Sequence, residues 1–73
     1  MQQYFFNIIV TTEQCQRFYR GETKSLLVTD DNGKNIQLLF KHFRPYIDKL
    51  GIRGRFRLTL TDEATFVALE KIN

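Results

Sequence analysis

Arg53, Arg55 and Arg57 stand two residues apart in the segment Gly51-Ile52-Arg53-Gly54-Arg55-Phe56-Arg57-Leu58. In an extended chain this spacing puts three guanidinium groups on one face. Guanidinium presents planar, multidentate donors suited to phosphate or carboxylate. Lys41, Arg44 and Lys49 lie just upstream, and Asp48 is the one acid between Lys41 and Arg57, so this stretch carries more than the whole chain's net charge of +3. The tail that follows is acidic, with Asp62, Glu63 and Glu70 against Lys71. Charge separated in this way steers an anionic partner. Arg44, Arg53, Arg55 and Arg57 are therefore the candidate anion-binding residues, and Phe43, Tyr46 and Phe56 are interleaved with them as potential base-stacking rings. A plainer reading stands beside this one. Arginine stems cover apolar surface on a solvated strand face, and Glu63 or Glu70 on a neighbouring strand would neutralise the stripe.

The other chemistry-bearing residues point away from catalysis. Cys15 and His42 are the sole cysteine and histidine. A thiol–imidazole pair needs the two within hydrogen-bond reach, whereas Cys15 falls on the apolar stripe of an expected helix, where cysteine acts as a small hydrophobe. His42, beside Lys41 and Arg44, reads as a surface residue. Asp30-Asp31 and Asp62-Glu63 fall in expected turns, where a short acidic side chain accepts nearby backbone N–H groups. Neither pair has metal-ligand or calcium-loop spacing. Gly51 and Gly54 lack the spacing of a phosphate-binding loop. No catalytic residue, metal or cofactor is expected.

Seventy-three residues form a single domain, residues 1–73, that buries a modest core. Seven Phe and three Tyr supply much of its apolar area. A chain this small is a candidate for homodimerisation or for support from a partner. No apolar run is long enough to span a membrane, the N-terminal segment lacks signal-peptide character, and a lone cysteine suits a reducing, cytoplasmic setting.

The elements that must position these residues follow from local pattern. Tyr4 to Val10 is apolar, aromatic and β-branched, and predicts a strand buried on most of both faces. Thr11 is an N-cap with Gln14 in capping-box spacing. Val10 and Cys15 form a hydrophobic staple, and Cys15, Phe18 and Tyr19 an apolar stripe. Gly21 then closes the helix at its C′ position. Ser25 to Thr29 and Asn35 to Phe40 form a hairpin. Centring its turn on Asn32-Gly33 pairs Leu27 with Leu38 and Leu26 with Leu39. Pro45 predicts a helical turn around Lys41 to Phe43 followed by an extended passage. Gly51 and Gly54 mark a turn or bulge. Phe56, Leu58 and Leu60 then alternate with Arg55, Arg57 and Thr59, and after a polar turn Phe66 to Ile72 returns. The fold class is α+β: one small antiparallel sheet of about five strands in the order β-α-β-β-short helical turn-β-β. One short helix covers a face, and the sheet can curl towards a partial barrel.

Four segments resemble one family. They are Phe18-Tyr19-Arg20-Gly21-Glu22, Phe43-Arg44-Pro45-Tyr46, Gly51-Ile52-Arg53-Gly54-Arg55-Phe56-Arg57-Leu58 and Phe66-Val67-Ala68-Leu69-Glu70. In this order and spacing they resemble domain-of-unknown-function family 2835, a group of short bacterial proteins. The chain departs from the family pattern at Leu39-Phe40, where a Pro-Ala pair is usual. The resemblance implies a compact cytoplasmic protein and carries no catalytic residue or cofactor with it.

Two functions are expected from the residues. The first is a non-enzymatic binding module that docks an acidic partner, nucleic acid or protein, through Arg44, Arg53, Arg55 and Arg57. The second is a structural or adaptor protein, acting as a homodimer through a sheet edge or exposed aromatics such as Tyr4, Phe5 and Tyr46, with the basic stripe only a solvated face.

Overall fold

A computed structural model describes residues 1–73. In chain order the elements are β1 (Gln2–Val10), α1 (Thr12–Tyr19), β2 (Ser25–Thr29), β3 (Asn35–Leu39), a 3-10 helix (Phe40–Tyr46), β4 (Ile52–Leu60) and β5 (Phe66–Lys71). The α+β class and the element order agree with the sequence. The single five-stranded sheet does not: β4 lies between β1 and β5 in a three-stranded antiparallel sheet, and β2 pairs only with β3 in a separate hairpin. No barrel closes.

β1 lies at the edge of the three-stranded sheet, and the core covers only one of its faces. Phe6 and Val10 are buried, whereas Asn7 and Ile9 on the opposite face are exposed. Its apolar run is therefore buried on one face and not on both.

The hairpin register differs by one residue from the expected one. Leu26 faces Leu38, and Leu27 faces Gln37. The turn spans three residues instead of two. Gly33 N–H donates to Asp30 O at 3.0 Å and Asp30 N–H to Lys34 O at 2.9 Å. Gly33 alone takes positive φ, +83°, the arrangement of a type I turn closed by a left-handed residue. The buried Asp30 carboxylate selects it by accepting the N–H groups of Asn32 and Lys34 at 3.0 and 2.7 Å. A one-residue slip moves every side chain to the other face. Leu26, Val28, Ile36 and Leu38 therefore enter the core, and Leu27 is left in solvent.

The ends of α1 match the sequence. Thr11 Oγ1 accepts from Gln14 N–H while Gln14 Oε1 accepts from Thr11 N–H. At the other end Gly21 N–H donates to Phe18 O and Glu22 N–H to Arg17 O, so the last carbonyls are satisfied in a Schellman motif. Along the stripe Cys15 is buried and Phe18 half-buried, but Tyr19 lies largely in solvent.

The 3-10 helix runs on through Pro45 to Tyr46, longer than the expected turn and without the extended passage before Ile47. Phe40 and Phe43 tether it to the core. The Phe43 ring meets Phe6 and Phe56 edge-on, with centroids 6.3 and 5.6 Å away. The Tyr46 hydroxyl donates to Leu69 O at 2.6 Å. Burial of these rings outweighs the one N–H that proline lacks.

A tight turn feeds β4: Asp48 and Gly51 exchange backbone hydrogen bonds of 2.9 and 3.0 Å. Gly51 has φ +101°, and a Cβ there would lie 2.0 Å from Val10 O. Only glycine lets the turn pass this close to the end of β1.

Candidate anion-binding surface

β4 places Arg53, Arg55 and Arg57 on one face, as their spacing requires, opposite Ile9, Asn7 and Phe5 of β1. Two of the three are already paired. Arg55 forms a two-pronged ion pair with Asp31, its Nη1 3.2 Å from Oδ1, and its guanidinium lies 5.8 Å from the centre of the Phe5 ring. This contact holds the Asp31 carboxyl below its usual range, the hydrogen bond being the larger cause, and raises Arg55 in return. Arg57 reaches across to Glu70 on β5, with Nη2 at 2.9 Å and Nε at 3.1 Å from Oε1. Arg53 is exposed and takes part in no ion pair.

Arg44 is not brought to this stripe. It projects from the 3-10 helix into a depression of about 330 Å³ lined also by Lys24, Lys41, Phe18, Thr23 and Phe40. No carboxylate lines it, and Lys24, Lys41 and Arg44 make no ion pair and no side-chain hydrogen bond. Lys24 has no spacing relationship to the other two in the sequence. The hairpin brings it there: Ser25 faces Leu39, and Phe40 N–H donates to Lys24 O at 2.8 Å, so Lys24 abuts the start of the 3-10 helix. Extending the hairpin pairing one step beyond Ser25 was the signal that would have found it, since either register sets Lys24 at Phe40 or Lys41.

The aromatics interleaved with the arginines are structural. Phe43 and Phe56 are fully buried, and Tyr46 spends its hydroxyl on Leu69. Burial pushes the Cys15 thiol up, and Cys15 lines none of the surface depressions. His42 is half-buried in the lining of a surface depression, with its ring stacked on Phe66 at 3.7 Å. Burial, and then Lys41, lowers its pKa. Asp30 serves its turn through backbone N–H groups, and Asp62 lies 3.4 Å from the N-terminal amine.

The sequence profile of the family described as protein of unknown function (DUF2835) matches residues 2–72. The chain belongs to the DUF2835 family. No curated protein and no solved structure matches it. In this DUF2835 fold the four resembling segments occupy the C-terminal cap of α1, the 3-10 helix, the turn into β4 with most of that strand, and β5. The first two contribute Phe18, Gly21 and Arg44 to the depression, and the last two contribute nothing to it. Two of its three cations, Lys24 and Lys41, lie outside those segments.

Proposed function

We propose that this chain is a small, non-enzymatic binding module that docks an acidic partner, with the contact centred on Lys24, Lys41 and Arg44. One observation supports the reading above the rest: three cations share a depression that no carboxylate lines. Like charges held together repel one another, and an anion placed among them relieves this. The strand stripe contributes less than its spacing implied, because Arg55 and Arg57 are engaged by Asp31 and Glu70. Arg53 is a further free cation on the outer face of β4. A reducing, cytoplasmic setting suits the free thiol of Cys15.

Retention on a heparin column tests the reading. Replacing Lys24, Lys41 and Arg44 by Ala lowers the salt needed for elution far more than replacing Lys34, Lys49 and Lys71, which removes the same charge elsewhere. Equal elution of the two triple variants would sink the proposal.

A second reading, self-association, is favoured by a different observation. Ile9 and Leu27 are 76% and 68% exposed and flank an apolar depression with Ile8, Val10, Phe18 and Leu26. A second copy that covers them shows as a concentration-dependent mass in sedimentation, abolished by Ile9→Lys. A monomer at every concentration excludes it.

A further inference from the structure

The cationic depression has an aromatic side. The Phe18 and Phe40 rings stack at 4.2 Å with their planes 4° apart, and Tyr19 sets its ring edge-to-face against Phe40 at 5.7 Å. Phe40 is buried and Phe18 half-buried, while Tyr19 is 61% exposed. A tyrosine ring is thus fixed by its packing on Phe40, which lines the depression of the three unpaired cations, while Tyr19 itself stands outside that lining. Glu22, the acid adjacent to this region in sequence, is held by Arg20 at 2.6 Å and Arg17 at 3.8 Å. It is engaged by the helix arginines, offsetting one of their two charges, and leaves Lys24, Lys41 and Arg44 free.

We infer that the partner is single-stranded nucleic acid, with phosphates seated on Lys24, Lys41 and Arg44 and an unpaired base stacked on Tyr19. The inference rests on the docking reading and names its partner. Cations that follow a backbone, beside an exposed ring, are the two parts that sequence-tolerant single-strand binding requires. A duplex satisfies only the first, because each of its bases is covered on both faces by its neighbours. α1, of eight residues and packed through Cys15, is not a helix free to enter a major groove. An acidic protein surface would use the cations and leave the ring without a role.

Fluorescence anisotropy with labelled oligothymidylate and oligouridylate of about twelve residues, and polyglutamate of similar length, tests this. Both oligonucleotides bind, with log affinity falling against log salt at a slope of about −2 for three phosphate contacts; the stronger of the two names DNA or RNA. Tyr19→Ala weakens oligonucleotide binding about tenfold and leaves polyglutamate unchanged, while Tyr19→Phe, which keeps the ring, binds as wild type. Polyglutamate bound as tightly as the oligonucleotides, with Tyr19→Ala altering neither, overturns the nucleic-acid inference and leaves the docking reading standing. No binding to any polyanion, or undiminished binding by the Lys24, Lys41 and Arg44 triple Ala variant, overturns both.

Discussion

The carboxylate of Asp31, in the hairpin turn, and the guanidinium of Arg55, in the middle of β4, meet in a two-pronged ion pair that joins the two sheets. The same turn is anchored a second time by Asp31 N–H, which donates to Phe5 O of β1 at 2.9 Å. The hairpin has no ladder to β1 or β4; Leu26, Val28, Ile36 and Leu38 pack it on the common core, and these contacts tie its turn to the other sheet.

Asp31→Asn and Arg55→Ala each lower the Tm, and the double variant loses little more than the worse single one, because both remove one interaction. The pair is solvent-accessible, so its effect shrinks in high salt. Its pH dependence has a definite sign. The folded Asp31 carboxyl titrates below its unfolded value, so its contribution is present above the unfolded pKa and is lost as pH falls through the folded one. Thermal melts of wild type and Asp31→Asn therefore converge in acid; curves that stay parallel would contradict the assignment.

His42 gives a second pH signature. Its folded pKa is lowered, so on acidification the unfolded chain takes up the proton first. Stability is full above the ordinary imidazole value of about 6.5 and declines as pH drops through it, levelling off below the folded value. Urea midpoints for His42→Phe, which keeps a ring against Phe66, lack this step; a step of unchanged size would assign it to another group.

The glycines separate steric from conformational cost. Gly51→Ala costs about 3 kcal/mol or more, because the new methyl meets Val10 O in addition to the strained φ. At Gly33 nothing lies within 4 Å of an added Cβ, so Ala there costs about 1 kcal/mol, the left-handed strain alone. Equal losses in urea unfolding would refute the close approach of the turn to β1.

Phe43→Ala costs about 3–5 kcal/mol, since it empties the centre of the Phe6–Phe43–Phe56 cluster. Tyr46→Phe keeps the ring against Phe56 and gives up the hydrogen bond to Leu69, for about 1 kcal/mol. Similar losses for the two would mean that the 3-10 helix is held by polar contacts rather than by its buried rings.

What was legible in the sequence was local. The capping box of Thr11 and Gln14, the Gly21 helix end and the in-and-out alternation of Phe56, Leu58 and Leu60 each depend on residues within a few positions of one another. The hairpin was legible as a hairpin, but Asn32-Gly33 suits turns of two residues and of three. The choice rested on the Asp30 side chain, which takes two backbone N–H groups only in the longer turn. Pro45 misled in the opposite direction: its local preference for an extended neighbour was overridden by burial of Phe40 and Phe43.

The candidate site divides along the same line. By itself the sequence determined that arginines two apart on β4 share a face, because strand geometry has a period of two. Only the tertiary structure decided what that face is worth. Glu70, 13 after Arg57, was expected from the neighbouring strand, but Asp31, 24 residues before Arg55, arrives through a contact between the two sheets that no local spacing encodes. Lys24 joins Lys41 and Arg44 for the same reason, since the packing of two sheets and a 3-10 helix on one core sets which charges meet and which are left free.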